Sequence, residues 1–254
     1  MSGLALISKK EECKIYQFPM QEKPIKNHGT STKTDALHTE EEIIAVTNYF
    51  KNEIIKCHSL KRETTARRNF TMFICAINLG LRGGDFCKLT WDVFFDENWE
   101  WRDSMDFTPE KTRHVGGTGK KVTLRWNEVF KHALTDWLNW QMLSGKINLT
   151  DYIFTTPHGH IDIDTWLQIM NKATKAAGIN RRIGTHGLRK TMGNKYYKTA
   201  KDKTDALVQL KEYFRHSDQH TTMTYICLEE ENMQETIDNM NHSTFFDENG
   251  NWKW

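Results

Sequence analysis

With 254 residues and 38% hydrophobic side chains, the chain can bury a sizeable core in one domain or two. No apolar run approaches the roughly 20 residues needed to span a bilayer, and Met1 to Lys10 lacks the apolar core of a secretory signal, so a cytoplasmic protein is expected. Lysine plus arginine exceed aspartate plus glutamate by only 35 to 33, so any basic surface must come from local clustering. The five cysteines are scattered, odd in number and never spaced Cys-x-x-Cys, which argues against a disulfide framework and a zinc knuckle.

Residues 1 to 37 are polar and irregular, with Pro19, Pro24 and Gly29, and read as a tail or linker. Thr39 and Glu42 form a capping-box pattern ahead of Ile43, Ile44, Val46, Phe50, Ile54 and Ile55 at helical spacing. A second helix, roughly Thr64 to Leu79, should close at Gly80 in the left-handed conformation and leave Arg82 on a turn. Between Trp91 and Arg125, short β-prone pieces (Val93 to Phe95, Trp99, Trp101, Phe107, Val122 to Leu124) predict a small antiparallel sheet with a hairpin. Helical periodicity returns over Asn127 to Leu143, Asp164 to Ala177, Gly187 to Lys198 and Thr204 to Phe214. The class is therefore mainly α with a small antiparallel β-sheet.

Three strings carry chemistry. Gly80-Leu81-Arg82 is followed by Asp85, three residues after the arginine; His186 and Arg189 lie three apart, on one face of a helix starting near Thr185. In the third, His216-Ser217 precedes Tyr225 by nine residues, counted from the histidine. Arg82 and Arg189 offer planar, permanently charged forks suited to an oxyanion. The spacing of His216 and His220 and the Cys57-His58 pair are too little for a metal site, and none is expected.

Taken together, in order from Thr39 to Met240, the strings resemble the tyrosine recombinase (phage integrase) family. The resemblance implies the family's α+β catalytic-domain fold over residues 38–240, with 241–254 as a tail. It makes Tyr225 the nucleophile, storing the broken bond as a 3′ phosphotyrosine so that no cofactor is needed. It also implies that His186 accepts or orients the tyrosine proton, that His216 donates to the phosphate, and that Asp85 holds Arg82 from behind. A hairpin lysine serves as general acid, and Lys111 in Glu110-Lys111-Thr112 matches, with Lys120 and Lys121 as competitors.

Arg181, Arg182 and Lys190, together with the unused hairpin lysines, are expected to contact DNA backbone. Double-stranded DNA is the implied partner, and Met233, Ile237 and Met240 form the apolar face of a short helix passed to a neighbouring protomer in a homo-tetramer. The setting is a bacterial or phage-borne, nucleoid-associated protein that integrates or excises a mobile element. Two departures stand out: Arg215 replaces the usual small residue before the third-string histidine, and the first 37 residues are too few for the helical clamp many members carry there. A type IB topoisomerase and a DNA-binding regulator without strand exchange are the alternatives.

Overall fold

Thr39 starts the first helix, α1 (Glu40–Ile55), by accepting the Glu42 N–H at 3.3 Å. Glu42 answers on the other side, its carboxylate taking the N–H of His38, the residue before the cap, at 2.8 Å. The computed structural model describes residues 34–110, 119, 121–226 and 228. Lys111, Lys120, the 229–240 segment and the 241–254 tail lie outside the described residues, as do residues 1–33.

Helix α2 (Leu60–Leu79) begins four residues before the position its apolar period suggests, because its first turn is polar and exposed. Its buried side chains, Met72, Phe73, Cys75 and Leu79 among them, pack against α1, α4 (Glu128–Ser144) and α6 (Thr185–Thr199), which makes α2 the central element of the core. Gly80 closes it at φ 64°, as the sequence predicts, and a Cβ there would also lie 2.2 Å from the Met192 methyl carbon. A short α3 (Gly83–Cys87) follows at once.

Val93-Phe94-Phe95 is not a strand. Trp91–Val93 is a single 3-10 turn, and Phe94 and Phe95 are both buried, at 0% and 2% exposure. Adjacent residues of a strand point to opposite faces, whereas a turn can send both inward. They join Trp101, Trp126 and Phe130, with Phe95 and Trp101 centroids 4.4 Å apart. The sheet itself is the antiparallel pair β1 (Met105–Phe107) and β2 (Val122–Leu124), with Phe107 opposite Val122. A second small hairpin, β3 (Thr155–Thr156) and β4 (Gly159–His160), turns at Pro157 and His158.

Trp137 on α4 is core, donating to the Ile153 carbonyl at 2.9 Å, as its helical spacing with Trp140 predicts. The chain continues through α5 (Ile163–Ala176), α6, α7 (Lys203–Phe214) and α8 (Gln219–Tyr225). A satellite cluster of Leu210, Phe214, Ile226 and Leu228 holds α7 and α8 together beside α6. Packing starts ahead of residue 38, since Ala36 and Leu37 are buried and the Leu37 N–H donates to Thr191 Oγ1 at 2.8 Å.

Candidate active site

Three chain turns meet at one end of α6. The turn after α2 supplies Arg82, the first two turns of α6 supply His186 and Arg189, and the α7–α8 turn supplies His216. Tyr225 is the last residue of α8, fixed there by Asn194 Nδ2 donating to the Ile226 carbonyl at 3.1 Å and by burial of Ile226. Its ring centroid lies 4.8 Å from that of His216, 5.4 Å from Phe214 and 5.6 Å from His186, and its hydroxyl oxygen is removed from solvent. Arg82, Gly84, Thr185 and His186 line an open groove of about 440 Å³ alongside.

Arg189 is 4% exposed, with its guanidinium 4.3 Å over the Phe214 ring. Nη1 donates to the Gly80 carbonyl at 2.7 Å and Nη2 to the Phe214 carbonyl at 3.2 Å, so one fork ties the ends of α2 and α7 together. Tyr213 assists, its hydroxyl donating to the Leu79 carbonyl at 2.5 Å. These side chains satisfy carbonyls that the end of α2 leaves without helical partners. Burial holds the Arg189 pKa below the ordinary arginine value; Tyr225 opposes that and Arg82 reinforces it.

His216 sits at the end of a hydrogen-bond chain. The Thr222 hydroxyl donates to the Asp218 carbonyl at 3.2 Å, and its oxygen lies 3.1 Å from His216 Nδ1. In the tautomer that carries its proton on Nδ1, neutral His216 presents Nε2 as an acceptor, and protonation makes Nε2 a donor. Burial first, then Arg189 and Arg82, push its pKa below 6.5. Folding thus favours neutral His216. The associated stability is fully present above pH about 6.5 and lost as pH falls through the lowered folded-state value. Melting curves from pH 5 to 8 should show that loss for the wild type and a smaller one for His216→Gln; identical profiles would remove His216 as the source.

Arg215, the departure noted in the sequence, stands at φ 60°, ψ 44°, the left-handed residue that closes α7. The His216 N–H donates to the Lys211 carbonyl at 3.0 Å and Arg215 N–H to Glu212 at 3.2 Å, so the cap forms in spite of the side chain. A left-handed L-residue costs roughly 1–2 kcal/mol, part of which glycine would return in chain entropy. Arg215→Gly is expected to raise stability by up to about 1 kcal/mol, read as a higher urea midpoint at unchanged slope. A lowered midpoint would mean that the Arg215 side chain outweighs the strain.

Several expectations need correcting. Asp85 does not brace Arg82; its Oδ1 accepts the Glu110 N–H at 2.8 Å, and Lys88 Nζ holds both Glu110 carboxylate oxygens at 2.9 and 3.0 Å. The acid after the arginine thus anchors the residue immediately before Lys111. Arg181 is no open backbone contact, being paired with Asp35 (3.0 Å) and Glu42 (2.5 Å). Lys190 is 5% exposed, its ammonium donating to the Thr34 carbonyl at 2.7 Å. Arg182 and Lys121 are exposed.

Sequence reasoning missed α8, whose seven residues are too few for a period; the signal present was Asp218, which caps it by accepting the Thr221 N–H at 2.7 Å. Ser217 and Thr221 hold the Asp218 carboxyl down at about 2.

The phage integrase family profile matches residues 39–232, more than half of the chain and all three strings. This chain belongs to the phage integrase family. A "Probable integrase/recombinase YoeC" of Bacillus subtilis (strain 168) is 28% identical over 167 residues, 65% of this chain and 80% of that protein. Among solved structures, XerA recombinase superposes with a TM-score of 0.58 at 17% identity, over 84% of this chain and 66% of its own. XerH site-specific recombinase, bound to its palindromic difH substrate after cleavage, gives 0.57 at 17% identity, over 82% of this chain and 53% of its own. The chain thus spans just under two thirds of the first structure and about half of the second, and at such identities the likeness is one of fold.

Proposed function

We propose that this chain cuts and rejoins double-stranded DNA at defined sites through Tyr225. The observation that carries this reading is convergence: residues 186, 189 and 216, drawn from two separate stretches of the chain, lie around one tyrosine, and the charge of Arg82 acts on both Arg189 and His216. The phenol oxygen attacks phosphorus, the bond to the 5′ oxygen breaks, and the 3′ phosphate becomes an ester of Tyr225. Attack by a 5′ hydroxyl of the partner strand reverses the step and releases the tyrosine.

Arg82 and Arg189 neutralise the two nonbridging oxygens. His186 and His216 share the remaining proton traffic at the phenol, with neutral His216 an acceptor at Nε2 and its protonated form a phosphate donor. Lys111 is assigned as the general acid on sequence grounds, and the Asp85 and Lys88 contacts to Glu110 support that assignment by anchoring its neighbour. Arg182, Lys120 and Lys121 serve the DNA backbone. Residues 38–240 act as the catalytic domain, the 229–240 segment joins protomers in a homo-tetramer, and the biological setting is integration or excision of a mobile element. The name of the Bacillus relative and the substrate-bound state of the XerH structure support this reading.

The test uses a pool of nicked duplexes with a randomised central segment, the nick lying a few nucleotides 3′ of each candidate phosphate so that the freed strand is lost. The protein should form adducts that survive denaturation and map to the peptide containing Tyr225. Adducts on another residue, or binding without any adduct, would overturn the proposal.

A further inference from the structure

Lys190 is a buried ammonium that the mechanism above does not use. Lysine is almost never fully buried unless paired, and here the pairing partner belongs to a segment remote in sequence. Residues 34–38 run as a strap across the first turns of α6. The Thr34 carbonyl accepts from Lys190 Nζ (2.7 Å), Asp35 N–H donates to the Arg182 carbonyl (2.9 Å) and Leu37 N–H to Thr191 Oγ1 (2.8 Å). Arg181 clamps the strap from outside, reaching Asp35, Glu42 and the Ala36 carbonyl at 3.1 Å.

The close fit depends on Gly187, where a Cβ would lie 2.2 Å from the Asp35 carbonyl oxygen. On its other side, Lys190 Nζ is 5.6 Å from the centroid of the Tyr225 ring. One ammonium therefore joins the strap to the tyrosine.

We propose that Lys190 is a positioning residue for Tyr225: anchored on the Thr34 carbonyl, its charge sets the orientation and acidity of the phenol, so the strap governs how Tyr225 is presented. The proposal rests on Tyr225 being the nucleophile. A fixed positive charge near a phenol favours the phenolate, which attacks phosphorus better than the neutral hydroxyl. The other charged or titratable groups around the ring are His186 and Arg189 on α6 and His216 from the α7–α8 turn, with Arg82 and Asp218 acting on His216.

The experiment labels the full chain with fluorotyrosine and follows the Tyr225 fluorine signal, identified by its loss in Tyr225→Phe, through a pH titration. Lys190→Met should move that titration up by about one pH unit or more. Adduct formation on the nicked duplexes should slow at least ~10-fold at neutral pH and recover at higher pH, following the same change in acidity. Lys190→Arg, which keeps the charge, should restore most of both. Gly187→Ala, which crowds the Asp35 carbonyl, should shift the titration in the same direction by less.

An unchanged titration in Lys190→Met, at any stability, overturns the proposal, as does an equal loss in Lys190→Arg. Should Lys190→Met fail to fold, the Lys190→Arg and Gly187→Ala titrations decide alone, since a merely structural lysine predicts no shift in Gly187→Ala. Adducts that persist in Tyr225→Phe would instead overturn the nucleophile assignment, a failure the fluorine titration does not share.

Discussion

Tyr225→Phe is expected to abolish the covalent adduct while leaving the fold and DNA binding in place. The substitution keeps the ring that packs against Phe214, His186 and His216 and removes only the hydroxyl. Losing one hydroxyl interaction changes stability by roughly 1 kcal/mol or less either way, too little to unfold the domain. Loss of the nucleophile, by contrast, leaves no route to a phosphotyrosyl ester. Mobility-shift titrations at two salt concentrations should therefore superpose for wild type and variant, while the denaturing gel shows an adduct for the wild type alone. An adduct that survived would place the nucleophile elsewhere, and lost binding would assign the hydroxyl to DNA recognition.

Arg189→Lys should damage both chemistry and fold. A lysine keeps the charge, yet it cannot span the Gly80 and Phe214 carbonyls while presenting a planar fork to phosphate. Loss of one preorganised donor lowers the rate of adduct formation by about 10²–10³-fold. A buried carbonyl left without its donor costs roughly 1–3 kcal/mol more, because Arg189 is 4% exposed and sits between two helix ends. Arg82→Lys is the informative comparison. Arg82 is only half-buried and lines the groove, so its loss should fall on the rate and spare the urea midpoint. Equal destabilisation of the two variants would contradict the separate roles drawn from their burial.

Local signals were enough to place most of the helices. Thr39, Gly80 and the apolar periods of α1, α4, α5 and α7 are short-range features, and short-range capping and packing rules govern them. Val93-Phe94-Phe95 reads as strand because β-branched and aromatic residues in a row satisfy β propensity, and only the need to bury Phe94 and Phe95 together decides against it. For α8, a seven-residue helix offers no period to read, so its capping residue Asp218 was the one available sign.

The same division runs through the site. Residue types and spacing carried a resemblance to one family, and that resemblance singled out Arg82, His186, Arg189, His216 and Tyr225 as the candidates for phosphoryl transfer. Tertiary structure decided which charges are free for DNA and which are spent on the fold: burial of Lys190 under the Thr34 strap, pairing of Arg181 with Asp35 and Glu42, and the turn of Asp85 toward Glu110. Those assignments depend on partners 25 to 156 residues away, and a charged side chain carries no local mark of whether its partner will be solvent, phosphate or a distant carbonyl.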